Sequence, residues 1–251
     1  MSEVAVVTGA SSGIGAATAR HLVRAGFDVV IGARRLERLE DLKAQLEAEF
    51  PERIVTALPL DVTDVESVTA FTDAIPAVDV LVNNAGGAIG TETIDAAHEA
   101  DWLRMYDINV LSILRVTQRL LPKLRQSPSA SVVTIGSIAA HEAYATGAGY
   151  NAAKFGARAV TRALRLELKG EPIRVIEIDP GLVETEFSIV RLRGDVDGAA
   201  KVYEGVDNLH ADDIADAVTW AVTRPPHVNI DNITILARDQ VSARDVHRRN
   251  V

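Results

Sequence analysis

The chain has 251 residues, 47% of them hydrophobic and 24% charged, with no cysteine and a formal charge of −9 from 26 Lys+Arg against 35 Asp+Glu. The apolar share supports a full core and excludes wholesale disorder, while zero cysteines exclude disulfides, thiolate-held zinc, iron–sulfur clusters and a cysteine nucleophile. The acidic balance argues against a nucleic-acid partner; with no apolar run near the roughly 18 residues of a membrane span and no basic leader in Met1-Ser2-Glu3-Val4, a cytoplasmic protein without membrane attachment is expected.

Val4–Thr8 reads as a buried strand, 14–25 as a helix stopped by Gly26, and 29–32 as a second strand. Leu36, Leu39, Leu42 and Leu46 place one apolar stripe on a helix over 36–50, which Pro51 ends. Further strands are expected at 54–58, 78–82, 131–135, 173–178 and 233–236, with the longest helical patterns at 101–125 and 150–169. Strands apolar on both faces, alternating with helices, imply right-handed βαβ units and a covered parallel sheet. The expected fold class is therefore α/β: one doubly wound Rossmann domain over 1–251 with a seven-stranded parallel sheet. Residues 181–205 carry no strand pattern and three glycines (Gly194, Gly198, Gly205), so a lid or binding loop is expected there.

Thr8-Gly9-Ala10-Ser11-Ser12-Gly13-Ile14-Gly15 joins the first strand to the first helix. Glycines at this spacing allow a tight turn and close backbone approach to a pyrophosphate at a helix N-terminus, the alternative being a glycine-rich connection without a ligand. At the end of the second strand, where an NAD site carries a carboxylate for the ribose 2′-hydroxyl, the chain reads Gly32-Ala33-Arg34-Arg35. Guanidinium groups bind a 2′-phosphate that a carboxylate would repel, so NADP(H) is expected over NAD(H). The alternative is a solvated helix start.

Tyr150 and Lys154 lie four apart on a helical segment and share a face. A neighbouring ammonium favours the phenolate and brings a tyrosine pKa down from about 10 toward neutrality. Ser137, just after the strand at 131–135, falls at the carboxyl edge of the sheet, where it can donate to a substrate carbonyl oxygen while Tyr150 delivers the proton. The alternatives are a turn or cap for Ser137 and a packed aromatic for Tyr150.

With these residues assembled, the chain resembles the short-chain dehydrogenase/reductase family over nearly its whole length. The resemblance implies a catalytic tetrad of Asn109, Ser137, Tyr150 and Lys154. It implies cofactor contacts from Gly9, Ser11, Ser12, Gly13, Ile14, Gly15, Arg34, Arg35, Asp61, Val62, Asn83, Ala85, Gly86, Tyr150 and Lys154, and from Pro180, Gly181, Val183 and Thr185 of Pro180-Gly181-Leu182-Val183-Glu184-Thr185. Direct hydride transfer between nicotinamide C4 and a carbonyl or carbinol carbon is the implied chemistry, with no metal, and the six histidines show no ligand spacing.

The last third, from Gly181-Leu182-Val183-Glu184-Thr185-Glu186-Phe187-Ser188 to Val246-His247-Arg248, looks like the bacterial NADP-dependent 3-hydroxy acid dehydrogenases, which oxidise L-serine and related acids. Two departures fall in the substrate loop: the segment 183–185 is one residue shorter, and Leu192-Arg193 replaces an aromatic–lysine pair. The tail 233–241 also looks somewhat like the clavulanic aldehyde reductase branch. A 3-hydroxy acid needs a cation for its carboxylate; with Ser137 and Tyr150 at the reacting oxygen, Arg191 is the candidate and Arg193 the second, the alternative being solvated loop arginines. A broader carbonyl reductase and a non-catalytic dinucleotide-binding regulator are the competing readings. The family resemblance also implies a homo-oligomer, a dimer of dimers, built on the two long helices.

Overall fold

The apolar runs form strands because alternate side chains enter two separate covered layers. In the computed structural model, which describes residues 2–249, these strands are β1 (Val4–Thr8), β2 (Asp28–Ala33), β3 (Val55–Pro59), β4 (Val80–Asn83), β5 (Ala130–Ile135), β6 (Ile173–Pro180) and β7 (Asn232–Ile235). They pair in the order β3-β2-β1-β4-β5-β6-β7, and every pairing is parallel. No expected strand is displaced by more than two residues. The order reverses at β1, which lies between β2 and β4, so a crevice opens beyond the carboxyl ends of β1 and β4.

The helices are α1 (Gly13–Arg24), α2 (Leu36–Glu49), α3 (Val65–Asp73), α4 (Glu99–Tyr106), α5 (Ser112–Leu124), α6 (Ala148–Glu167), α7 (Phe187–Arg191), α8 (Val196–Tyr203) and α9 (Ala211–Val222). On one face Ala5, Val7, Val82, Ile135 and Ile178 meet Leu22 of α1, the Leu39/Leu42/Leu46 stripe of α2 and Ile214 and Val218 of α9. On the other, Val6, Leu81, Val132 and Val175 meet Phe71 of α3 and Val116, Leu120 and Leu124 of α5. Each fully buried aliphatic side chain contributes about 1.5–3 kcal/mol.

The expected single helix over 101–125 is corrected. It divides into α4, a five-residue π turn (Asp107–Leu111) and α5. The cause is local: Asn109 Nδ2 donates to the Met105 carbonyl oxygen at 2.8 Å, taking the acceptor that the Asn109 amide would use in a regular α-helix. The segment 181–205, expected as a loop, contains α7 and α8. On α6, Leu164 and the following Leu168 pack into the chain's own core, while Phe155 stays exposed. Among the described residues, no helix is long and apolar enough to cross a membrane.

Candidate active site

After Thr8 the chain turns through Gly9 and Gly13, whose φ values of +68° and +54° lie in the left-handed region that glycine enters without steric cost. Gly15 is required for space: a Cβ there would lie 2.4 Å from Asn84 Nδ2 and 2.5 Å from the Gly9 carbonyl oxygen. Asn84 closes the turn by donating from Nδ2 to the carbonyl oxygens of Thr8 (2.8 Å) and Gly9 (3.2 Å). Thr8 Oγ1 in turn accepts the amides of Asn84 and Ala85, each at 3.1 Å. Ser12, the N-cap of α1, makes no side-chain cap bond, and the first turn of α1 has no acidic residue. Free amides and the positive end of the helix dipole thus face the turn, the environment a pyrophosphate requires.

Arg34 and Arg35 follow β2 and are both exposed. Arg35 lies across the turn, donating to Ser11 Oγ at 3.1 Å and Ser12 Oγ at 2.8 Å. Arg38, which the motif reading did not single out, joins them: Glu186 pairs with Arg35 at 2.9 Å and with Arg38 at 2.7 Å. Its signal was helical spacing, since Arg38 is one turn beyond Arg34. Burial works against the ionised Asp61, but the Thr63 hydroxyl and amide, with Arg34 and Arg104, hold its carboxyl below the usual range. Asn83 departs from the expected pattern of cofactor-edge side chains: its Nδ2 is buried against Thr117 Oγ1 at 3.0 Å, bracing the sheet against α5. A glycine cradle that a Cβ would fill, uncapped amides and three neighbouring arginines fit a phosphorylated dinucleotide.

The second cluster lies on the other side of the crevice. Ser137 leaves β5 and starts a short 3-10 turn (Ile138–Ala140), accepting the Ala139 amide at Oγ at 3.1 Å. Tyr150 and Lys154 project from the first turns of α6, with Lys154 Nζ 5.9 Å from the Tyr150 ring centroid and donating to the Ile135 carbonyl oxygen at 2.9 Å. Burial pushes the Tyr150 phenol above its ordinary value, with nearby Tyr144 adding to the rise and Ser137 and Arg191 pulling against it. Burial likewise pulls the Lys154 ammonium down to about 8, against the attraction of Asp179 and Glu177. Asn109 reaches the same neighbourhood through the π turn, where Nδ2 donates to the Gly87 carbonyl oxygen at 2.8 Å and Oδ1 accepts the Gly87 amide at 3.2 Å. The structure thus brings Asn109, Ser137, Tyr150 and Lys154 to one end of the sheet.

Behind Ser137 are two buried carboxylates that the motif reading missed. Asp179 Oδ1 accepts the Ser137 amide at 2.8 Å, and Oδ2 meets His141 Nε2 and Asn232 Nδ2, each at 2.5 Å. Arg158 contacts His141 Nδ1, which makes that nitrogen the acceptor and leaves the Nε2 proton for Asp179. Glu177, also buried, is pushed up to about 7 by burial and by Asp179, and its Oε1 has no hydrogen-bond partner among the described residues. A signal was present: two carboxylates spaced by two in an otherwise apolar strand must share one face of the sheet, where unpaired charge is costly.

The segment 181–205 covers the crevice. The Gly181 amide donates to the Ile235 carbonyl oxygen at 2.7 Å, and Thr185 sits over the glycine turn, its Cγ2 3.3 Å from where a Cβ on Gly13 would be. Phe187 packs on Tyr150 with ring centroids 5.5 Å apart. Arg191 enters a pocket lined by Tyr150, Trp102, Met105 and Thr146, its guanidinium carbon 5.7 Å from the Tyr150 ring centroid. It donates only to neutral oxygens: Gly90 O (3.3 Å), Tyr144 Oη (3.1 Å) and Thr146 O (3.3 Å). Arg193, the second candidate, is engaged elsewhere, with Asp101 at 2.6 Å and Glu92 at 3.6 Å.

The strand order, the glycine turn at its reversal and the polar cluster at the carboxyl edge define a doubly wound nucleotide-binding protein. Residues 3–193 match the family model for short chain dehydrogenase, and the chain belongs to that family. It is 52% identical over 240 residues to an uncharacterized oxidoreductase of Mycobacterium tuberculosis, covering 96% of this chain and 93% of that protein. It is 38% identical over 244 residues to the serine 3-dehydrogenase of Agrobacterium fabrum, covering 96% of each. Among solved structures, the closed form of serine dehydrogenase complexed with NADP+ superposes with a TM-score of 0.90 at 36% identity, over 98% of this chain and all of that one.

Proposed function

We propose that the protein is an NADP(H)-dependent dehydrogenase that oxidises short 3-hydroxy acids such as L-serine and, in reverse, reduces the matching semialdehydes. Arg191 carries the reading: a half-buried guanidinium beside Tyr150, bonded only to neutral oxygens, is suited to a substrate carboxylate. The likeness to serine 3-dehydrogenase and to an NADP+-bound serine dehydrogenase supports the same substrate class and cofactor.

Gly9, Gly13, Gly15 and the first amides of α1 would hold the pyrophosphate, and Arg34, Arg35 and Arg38 the 2′-phosphate. A cofactor held there would supply the hydride acceptor for oxidation of the carbinol and the hydride donor for reduction of the carbonyl. In reduction Tyr150 gives its phenolic proton to the nascent alkoxide, and in oxidation its phenolate takes the alcohol proton. Ser137 donates to the same oxygen as charge develops, a contribution of about 2–4 kcal/mol in comparable sites. At neutral pH, below its value of about 8, Lys154 would keep positive charge near Tyr150 as reduction leaves a phenolate there, and Asn109 braces the loop at Gly87. Burial favours the protonated phenol, so the oxidation rate is expected to climb with pH through the alkaline range, while reduction at neutral pH proceeds without that requirement.

The test is a panel of L-serine, 3-hydroxypropionate and an uncharged alcohol with NADP+. Tyr150→Phe is expected to lower kcat by roughly a thousandfold with NADPH affinity unchanged. Arg191→Met is expected to raise KM for the acids and leave the neutral alcohol alone. Equal effects on acid and alcohol would remove the carboxylate assignment and favour a broader carbonyl reductase.

A further inference from the structure

Tyr144 is flanked by two guanidinium groups. Arg191, from α7, lies 5.7 Å from the Tyr144 ring centroid, and Arg244, from the segment after β7, lies 5.0 Å from the same centroid. Both also reach Thr146 on the pocket wall: Arg191 donates to its carbonyl oxygen at 3.3 Å, and Arg244 to its Oγ1 at 3.0 Å. The backbone of Thr146 has φ +62°, uncommon for a β-branched residue, and of the two only Arg191 bonds that backbone; Arg244 meets the side-chain hydroxyl alone.

Among the described residues, neither guanidinium has a carboxylate within ion-pair distance, whereas neighbouring Arg193 has two. Glu142 Oε2 accepts the Ala243 amide at 2.8 Å, and the carboxylates on the pocket wall, Glu92 and Asp101, pair with Arg193 instead. Arg191 and Arg244 thus meet Tyr144 without a directly paired carboxylate, and the face of an aromatic ring satisfies a guanidinium only in part. An anion spanning both would supply that missing partner.

We infer that the pocket has two anion subsites, Arg191 for the carboxylate beside the reacting carbinol and Arg244 for a second anionic group at the mouth, so that dianionic 3-hydroxy acids are its preferred substrates. This rests on the 3-hydroxy acid reading above. Arg191 is the inner site because it also faces the Tyr150 ring at 5.7 Å; Arg244 is exposed, and its guanidinium meets the Tyr144 ring and the Thr146 hydroxyl on the rim. A contact at an exposed rim acts on encounter and binding and is screened by salt, so it belongs in KM rather than kcat.

The experiment compares 3-hydroxyglutarate, a dianion, with 3-hydroxybutyrate, a monoanion of similar size, using NADP+ at low ionic strength. The expected kcat/KM is about tenfold higher for the dianion, expressed in KM and eroded by added salt. Arg244→Gln, checked for an unchanged melting midpoint, is expected to abolish that advantage and leave 3-hydroxybutyrate within about twofold of its original value. Binding of glutarate and butyrate to the enzyme–NADPH complex, followed by cofactor fluorescence, reads the same subsite without turnover. If neither hydroxy acid is oxidised but glutarate binds better than butyrate through Arg244, the 3-hydroxy acid reading fails and the second subsite stands. If the dianion has no advantage in either measurement, or Arg244→Gln weakens both probes equally, the second subsite is overturned.

Discussion

The glycine turn and the lid face each other across one crevice, yet they are held by different forces. The turn is fixed by backbone sterics and by main-chain hydrogen bonds that Asn84 Nδ2 donates and Thr8 Oγ1 accepts. The segment 181–205 is tied by main-chain bonds at separate points, such as the Gly90 amide to the Arg191 carbonyl oxygen and the Glu184 amide to the Leu209 carbonyl oxygen, each at 2.8 Å. It is also tied by side-chain pairs that cross between elements: Glu186 to Arg35 and Arg38, and Arg193 to Asp101 and Glu92. Exposed ion pairs are worth roughly 0–1 kcal/mol and weaken with salt, whereas a clash under 3 Å in a packed turn costs about 1–3 kcal/mol or more. The second region therefore carries contacts that salt can loosen, and the first does not.

The contrast can be broken most directly at Gly15. Gly15→Ala is expected to weaken NADPH binding by about a hundredfold, because Asn84 and the Gly9 carbonyl cannot both stay where they are. A fluorescence titration with a parallel melt checks it, and near-native affinity would show the turn to be softer than its packing. Glu186→Gln sharpens the other side: freeing Arg35 and Arg38 from a carboxylate should tighten NADPH by about threefold at low salt and raise substrate KM as the lid loses its latch. Weaker NADPH binding would instead make Glu186 an orienting partner for the arginines.

The smallest effect is expected beneath the site. Glu177 titrates at about 7 in the folded chain against an ordinary 4.5, so the fold binds this proton more tightly than the unfolded chain. Its cost to stability is absent below about pH 4.5, grows as pH rises toward 7 and is complete above that. Glu177→Gln should accordingly raise the melting midpoint by roughly 2–4 °C at pH 8 and leave it unchanged near pH 4.5. A gain of equal size at both values would assign the effect to packing.

What could be read in advance follows the same division. Strands, the glycine turn and the Tyr150/Lys154 pair are local, set by period, spacing or helical pitch, and each lay in one short window of sequence. Asp179 and His141 were not legible as a pair because they come from β6 and the turn after Ser137, 38 positions apart. Glu186 was likewise visible as a loop residue, but its partners lie 148 and 151 positions away. The division of the segment 101–125 escaped for a different reason: one amide side chain competing for one carbonyl leaves no mark on hydrophobic periodicity.

That π turn has a consequence for inheritance. A wide turn spends one more residue than an α turn on the same advance, so deleting one position between Met105 and Ile113 would let the segment close into regular helix. Everything beyond would keep its phase, leaving Val116 and Leu120 in their layer, whereas Asn109 would be re-aimed and its two bonds to Gly87 lost. Lineages descending from this chain can therefore shed one letter here and still fold, but those that keep the asparagine at the wall should keep the letter too.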